Sequence, residues 1–558
     1  MSRELTTGVL IIGAGAGGSA LACALSQAGI DALVLERGPR HARTEFVHDE
    51  LAGQQVRGFI PDPHTDPHIV ATRDSPAGIA STLGWTALGA GGGTLRWSGY
   101  FYRFHPIDFR MASAFPSDPH LADWPIDYST LAPYYRQAER LVGTSGERDR
   151  SRFAPPCNDP LPMPPRQQNS WAARLRAAGD IDGLALHATP RAINSIAYGG
   201  RPACIYCQRC GSYGCPNGAR GGGHETLLAD AERTGRVRVL SEHRALEIET
   251  DRRGHAVAAI VAGPDGQRLR IRADVVCLAC SAVETARLLL LSRSGRFPNG
   301  LGNSTGQVGR HLQFHGVSML RAYFPKSDGP NHEPGRVLDL SSSAHYLFDN
   351  DASTPRDMPR KGGLLRFALT PPSPVLDAKH LALSGPRVRF GAELLSAYRA
   401  RHLERSAVEV EAFHDYFPNP GTRVELDPER VDSLGQPCAR IWLDPSPRHG
   451  EIGDALLTAA ERVLLRTGAD FIERSVVGGT SSYLVYGACR AGHSPANSVI
   501  DGDGRCHEID NLYVVDGSYM PTSGGVAPTL TLIANALRIG ERLIARLKNP
   551  PPSRATGS

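Results

Sequence analysis

Val9-Leu10-Ile11-Ile12 is a continuous apolar run that ends directly on Gly13-Ala14-Gly15-Ala16-Gly17-Gly18. A run apolar at every position reads as a strand buried on both faces, the situation inside a parallel sheet. Ser19 to Ala28 then reads as a helix, and Asp31-Ala32-Leu33-Val34-Leu35 as a second strand closed by Glu36. Strand, G-x-G-x-x-G, helix, strand and acid, in that order, describe a dinucleotide-binding unit. Gly13 permits the tight turn, Gly15 lets backbone approach a pyrophosphate, and Gly18 lets helix and strand pack closely. Ala16 opens the helix, whose free N–H groups and dipole favour an anion. Glu36 is placed to accept hydrogen bonds from a ribose diol. The spacing alone does not separate FAD from NAD.

The composition excludes several other classes. A chain of 558 residues holds roughly two to four units of about 150 residues. Its net charge is only +4, which gives no case for nucleic acid or an anionic membrane as partner. With 41% hydrophobic and 21% charged residues, a globular core is expected and global disorder is not. Sixty Gly and 42 Pro predict many tight turns and long connections. No stretch reaches about 18 apolar residues, so no membrane span is predicted. The opening MSRELTTGVLII lacks a charged region, an apolar region and a cleavage site, so a cytoplasmic protein is expected. Export alongside a partner that carries a signal stays open.

Distant segments narrow the class. Leu88 to Gly99 is a second Gly-rich turn containing Gly92, Gly93, Thr94, Arg96 and Trp97, and it leads into Arg103-Phe104-His105-Pro106-Ile107-Asp108-Phe109. Near the C-terminus, Asn511 to Ser518 is a β-run ending on Asp516-Gly517. Pro521 to Thr531 follows, with Pro528-Thr529 opening a helix to about Leu547. Gly309-Arg310-His311 with His315, the run Phe417 to Val424, and Ala273 to Ser292 complete the set. In this order the pieces resemble the glucose–methanol–choline (GMC) family of FAD oxidoreductases across nearly the whole chain. The branch of gluconate and related sugar dehydrogenase flavoproteins is nearest.

The resemblance implies an α/β protein, α+β overall, in which a Rossmann-like FAD domain is interleaved with an antiparallel-sheet substrate domain. Residues 1–121, 199–314 and 481–549 would form the first, and 122–198 with 315–480 the second. Residues 550–558 read as a disordered tail. Gly92, Gly93, Thr94, Arg96 and Trp97 would line the flavin, and Asp516 with Gly517 would meet its ribityl chain. Pro528 and Thr529 would aim a helix N-terminus at the flavin pyrimidine. Arg96 would hold an anionic substrate group or the reduced flavin, or pair with an internal carboxylate. The implied reaction takes hydride from a CH–OH or activated C–H donor, and the electrons leave to an acceptor other than oxygen.

The pattern breaks where the family keeps its proton acceptor. Leu484-Val485-Tyr486-Gly487-Ala488-Cys489-Arg490-Ala491-Gly492 matches H-x-x-G-T-x-R-M-G, so Leu484 stands where the catalytic His is expected. Ala527 stands where a His or Asn precedes the Pro of the last helix. General base catalysis is worth roughly 10²–10⁴-fold, so the substitution matters. Tyr483, Tyr486 and His493 are the nearest candidate replacements. A substrate that needs no base, and a use of FAD other than hydride transfer, are the alternatives: a lyase, isomerase or decarboxylase-like enzyme, or a non-catalytic FAD-binding subunit. An apolar pair beside the flavin predicts a rather apolar small-molecule substrate.

Cys204, Cys207, Cys210 and Cys215 are four of eleven cysteines within twelve residues, spaced C-x₂-C-x₂-C-x₄-C-P. This is one residue longer than a ferredoxin run. An iron–sulfur cluster or other metal, disulfide pairing, and free thiols all fit the spacing. A cluster would serve as a relay toward an electron-acceptor protein.

Overall fold

The computed structural model describes residues 3–51, 59–348, 361–369, 373–384, 386–476 and 484–549. Three sheets organise it. The first has seven strands. Val237–Leu240, Ala32–Leu35, Arg3–Ile12 and Arg268–Leu278 lie side by side and parallel, and Leu512–Val514 adds to the last of them, also parallel. Ala256–Ala262 and Arg244–Thr250 continue the sheet antiparallel. Val9 to Ile12 are at most 4% exposed, as a strand covered on both faces requires. Helices Ala16–Gln27 and Thr529–Lys548 pack side by side over it, close enough that a Cβ on Gly540 would lie 2.9 Å from that of Ala24.

The second sheet is antiparallel throughout, in the order Phe471–Ser475, Gly316–Pro325, Arg405–His414, Gly363–Ala368, Asp339–Ser342 and His187–Ala188. Helix Arg448–Arg466 covers one face with Ile452, Leu456, Leu457, Val463 and Leu464. The other face is turned to the cavity described below. The third sheet joins Arg423–Val431 and Pro437–Leu443 to His68–Thr72 and Ile79–Ser81. Among the described residues no helix is long and apolar enough to cross a membrane.

Two local expectations differ from the structure. Val388-Arg389-Phe390 alternates like a strand, yet it is largely exposed and leads into helix Gly391–Tyr398. Phe390 is 76% exposed, so no second layer rewards the alternation there. The polar stretch from Pro325 to Arg360 reads as a loop, yet Asp339–Ser342 within it is a buried strand. Its charged residue, Asp339, is neutralised by arginines from three other segments, which no local pattern reveals. The expected tail at 550–558 lies outside the described residues.

Burial also sets an acid limit on the fold. It pushes the imidazoles of His311 and His414 down to about 3, and those of His224 and His449 to about 4. The unfolded chain binds these protons from about pH 6.5 downward, whereas the folded chain does not. Stability therefore falls as pH drops below 6.5, by about 1.4 kcal/mol per group per pH unit until the folded pKa is reached. At pH 5 the melting temperature should lie on the order of 10 °C below its value at pH 7.5. A thermal scan that is flat between those two pH values would contradict this.

Candidate active site

The Gly-rich turn is built by close backbone approach. Gly13 has φ +107°, and a Cβ there would lie 2.2 Å from the Ala279 carbonyl oxygen. A Cβ on Gly18 would lie 2.0 Å from the Gly13 oxygen, so helix and turn touch through bare backbone. A Cβ added at Gly15 would meet nothing nearer than the Ala279 oxygen at 4.0 Å, so on that side the residue faces open space. Helix Ala16–Gln27 starts there with no side-chain cap. Its first N–H groups are left to an anion. Gly17 escaped the motif reading: a Cβ there would meet the Val515 carbonyl at 2.1 Å. Only the position of the C-terminal strand explains that glycine.

Glu36 ends the second strand and is 6% exposed. Its carboxylate accepts N–H bonds from Ala14 (3.0 Å), Gly38 (2.8 Å) and Gly89 (3.3 Å). Burial raises its pKa above the usual carboxylate value, against the pull of those three donors. A carboxylate offers about four lone-pair sites, so one remains for a ribose hydroxyl.

A cavity of about 590 Å³ runs from Gly13, Gly15, Ala16 and Glu36 to Leu484 and Ala527. Its middle wall is the second Gly-rich turn: Gly92, Gly93, Thr94, Arg96 and Trp97. Gly92, at φ +50°, approaches so closely that its Cβ would lie 2.8 Å from the Gly15 Cα. Thr94 Oγ1 donates to the Gly91 carbonyl (2.6 Å) and accepts from Gly223 N–H (2.8 Å). Trp97 Nε1 donates to the Gly221 carbonyl at 3.2 Å. The open cradle at Gly15 and the long cavity beyond it fit an extended dinucleotide.

The far end is closed by the C-terminal segment. Asp516, Gly517, Pro528 and Thr529 lie in the wall. Asp516 accepts from Ser281 N–H (3.0 Å), Thr285 Oγ1 (2.6 Å) and Ser518 N–H (2.8 Å). Pro528 is the N-terminal flanking residue of helix Thr529–Lys548, which again has no side-chain cap. The turn before it is tied down residue by residue. Gln313 Nε2 donates to the Pro521 carbonyl (2.9 Å), Trp124 Nε1 to Thr522 (2.7 Å), and His315 Nε2 lies 3.0 Å from the Val526 carbonyl. Beneath the turn, Lys361 Nζ is fully buried 2.7 Å from both Asp108 and Asp415. Burial works against its charge, but the two carboxylates hold its pKa above the ordinary value. Tyr346 donates to Asp108 (2.5 Å) and accepts from Gly525 N–H (2.9 Å), joining this ion cluster to the turn.

Of the expected replacements for the missing base, one reaches the cavity. Tyr486 is in the wall, and its buried hydroxyl has no partner. Burial pushes that hydroxyl well above the usual tyrosine pKa, so it is a hydrogen-bond donor and not a proton acceptor at neutral pH. His493 is exposed and outside the wall, because the chain turns away where Ala491 bridges Ile500. Tyr483 lies outside the described residues. His243 is the one histidine among the described residues lining the cavity, and its N–H bonds the Glu36 carbonyl at the opposite end.

The remaining wall comes from the antiparallel sheet and was not legible in the motifs. Val317 and Met319 pair across strands with Phe413 and Glu411, and all four side chains line the cavity. Glu411 pairs on its other side with Arg366. Arg366 Nη1 donates to Glu411 Oε2 at 2.7 Å, and Tyr100 donates to the same oxygen. The Tyr100 ring lies between two guanidinium groups, Arg191 at 4.3 Å and Arg366 at 4.9 Å. Asp339 binds Arg166, Arg191 and Arg366 behind them.

The cysteine segment borders the same space through Gly211 and Ser212. Cys204, Cys207, Cys210 and Cys215 are free thiols, as are the other seven cysteines. Tyr206, Gln208 and Ser212 have φ of 58°, 61° and 68°, which winds the segment tightly. Among the described residues no three His, Cys, Asp or Glu side chains gather as metal ligands. The iron–sulfur expectation therefore has no matching donor set among the described residues.

Comparison with known proteins agrees with this geometry. Residues 121–317 and 422–536 match two family models described as GMC oxidoreductase, and residues 11–61 match an NAD(P)-binding Rossmann-like domain. The chain is 32% identical to 6'''-hydroxyparomomycin C oxidase of Streptomyces lividus, over 97% of this chain and 91% of that protein. It is 28% identical to the fructose dehydrogenase large subunit of Gluconobacter japonicus, over 98% and 100% of the two chains. Among solved structures, pyridoxine 4-oxidase from Mesorbium loti superposes with a TM-score of 0.61 at 17% identity, covering 96% of this chain and 99% of that one.

Proposed function

The chain belongs to the GMC oxidoreductase family and is an FAD-dependent oxidoreductase acting on alcohol-type substrates, and we propose that its own substrate is a small alcohol with an apolar body. FAD, when bound, supplies the hydride acceptor. Glu36 would hold the ribose, and the uncapped start of helix Ala16–Gln27 the pyrophosphate. Asp516 and the start of helix Thr529–Lys548 would meet the other end of the cofactor. Leu484, Ala527, Val317, Met319 and Phe413 line the same cavity and would border the reacting carbon.

The observation that carries this reading is that the dinucleotide turn and this apolar group of residues are walls of one cavity. An apolar substituent held there gains from burial at about 25 cal/mol per Å². A polyhydroxylated sugar would instead leave hydroxyls without partners against Leu484 and Ala527. The test is anaerobic mixing of the yellow protein with benzyl alcohol, 1-octanol, 2-propanol and fructose. Benzyl alcohol and 1-octanol should bleach the flavin band at least tenfold faster than fructose. Equal or faster bleaching by fructose would refute the apolar assignment, and a flavin that no alcohol bleaches would refute the alcohol-oxidising reading.

A further inference from the structure

The geometry points to Glu411 as the proton acceptor for the alcohol hydroxyl, in place of the imidazole that Leu484 and Ala527 do not supply. The inference rests on the alcohol-oxidising reading above. It starts from register. In the antiparallel sheet Glu411 is paired with Met319 on one side and Arg366 on the other, while Phe413, two residues on, is paired with Val317. Residues two apart on a strand share a face, so the carboxylate and the apolar patch bordering the reacting carbon stand on the same surface. Four carboxylates line the cavity: Glu36, Glu284, Asp516 and Glu411. Glu36 is engaged by the backbone at the ribose end. Glu284 is ion-paired with Arg37 and Arg287. Asp516 is engaged by Ser281, Thr285 and Ser518 beside the start of the last helix. Glu411 is the one carboxylate of the four that stands on the substrate sheet.

Its bonding suits the task. Tyr100 and Arg366 both donate to Oε2. Oε1 takes no part in either bond, and the side chain keeps 19% exposure, in the cavity wall. The groups around it that carry or can carry charge are Tyr100 and Arg366, with Asp339 and Arg191 behind them. Tyr100 is clamped between two guanidinium groups and so cannot swing away from Oε2. Tyr100 and Arg366 are therefore positioning residues, which fix the plane of the carboxylate and leave one oxygen for the substrate.

The step balances without a further reactant. The O–H bond of the alcohol breaks and its proton goes to Glu411 Oε1. The carbinol C–H bond would break with its electron pair passing as hydride to FAD when bound, while the C–O bond becomes a carbonyl. The carboxylate ends as a neutral carboxylic acid, and the substrate has lost two electrons and two hydrogens.

The test compares wild type with Glu411→Gln and Glu411→Ala, each loaded with FAD, using benzyl alcohol or whichever alcohol of the panel bleaches wild type fastest. Glu411→Gln should keep the oxidised flavin spectrum and the melting temperature, yet reduce its flavin roughly 10²–10⁴-fold more slowly. Added formate should restore part of the rate to Glu411→Ala, because a small carboxylate can occupy the vacated space. Independently of rate, the infrared difference between alcohol-reduced and oxidised wild type should contain a carboxylic-acid C=O band that Glu411→Gln lacks. Should either variant fail to hold flavin, the wild-type infrared band, compared with that of Glu411→Asp, decides. Bleaching by Glu411→Gln at the wild-type rate, or an infrared difference with no carboxylic-acid band, overturns the assignment and leaves the alcohol reading standing. A wild-type flavin that no alcohol bleaches overturns both.

Discussion

Lys361→Met is expected to destabilise the protein by about 3–5 kcal/mol, the range seen when one member of a buried ion cluster is removed. Lys361 has no exposed surface, and its ammonium lies 2.7 Å from each of two carboxylates that are themselves at most 2% exposed. Methionine matches its length but leaves Asp108 and Asp415 as like charges in a buried site. The damage should spread to the catalytic end. Tyr346 links Asp108 to Gly525, and Ser523 Oγ donates to Asp415 at 3.2 Å, so the turn before helix Thr529–Lys548 loses its footing. Urea unfolding of the flavin-loaded protein measures the effect. A triple variant, Lys361→Met with Asp108→Asn and Asp415→Asn, should recover much of the loss because it removes the stranded charges. A single variant within 1 kcal/mol of wild type would show that the cluster is not the support described here.

Gly13→Ala is expected to abolish flavin retention. At φ +107° an L-residue is strained by about 1–3 kcal/mol. The new methyl would also sit 2.2 Å from the Ala279 carbonyl oxygen, a rigid backbone atom. Overpacking of that kind adds about 1–3 kcal/mol. The only relief is to move the turn, and the turn carries Gly15 and the start of helix Ala16–Gln27 with it. Even 3 kcal/mol of lost binding is about a hundredfold in affinity. The purified variant should be colourless under conditions in which wild type is yellow, and flavin released on denaturation gives the stoichiometry. Gly29→Ala is the matched control: it also has positive φ (+80°), but its Cβ would meet nothing within 4 Å. Full flavin content in Gly13→Ala would contradict the close-approach account.

The dinucleotide half of the site was legible because its physics is local. A buried strand, a turn that only glycine can make and a helix start all fall within a few consecutive residues, and the backbone geometry at Gly13, Gly15 and Gly18 follows from that order. The C-terminal strand and helix were readable for the same reason. The catalytic half was not. Leu484 and Ala527 could be recognised as anomalies from their neighbours, but what stands opposite them is set by strand register between segments about a hundred residues apart. Glu411 sits in Val408-Glu409-Val410-Glu411-Ala412, where two glutamates alternate with apolar residues. Nothing local says that Glu411, and not Glu409, lines the cavity. Gly17 and Lys361 were missed on similar grounds, since each answers to a partner from elsewhere in the chain.

The first strand and the last helix belong to one cradle. Helix Ala16–Gln27 rests against Thr529–Lys548, and Gly17 abuts Val515. These partners come from distant parts of the sequence. A chain cut short before residue 512 would keep its nucleotide fingerprint but lack the strand and helix that wall the far side of the cavity.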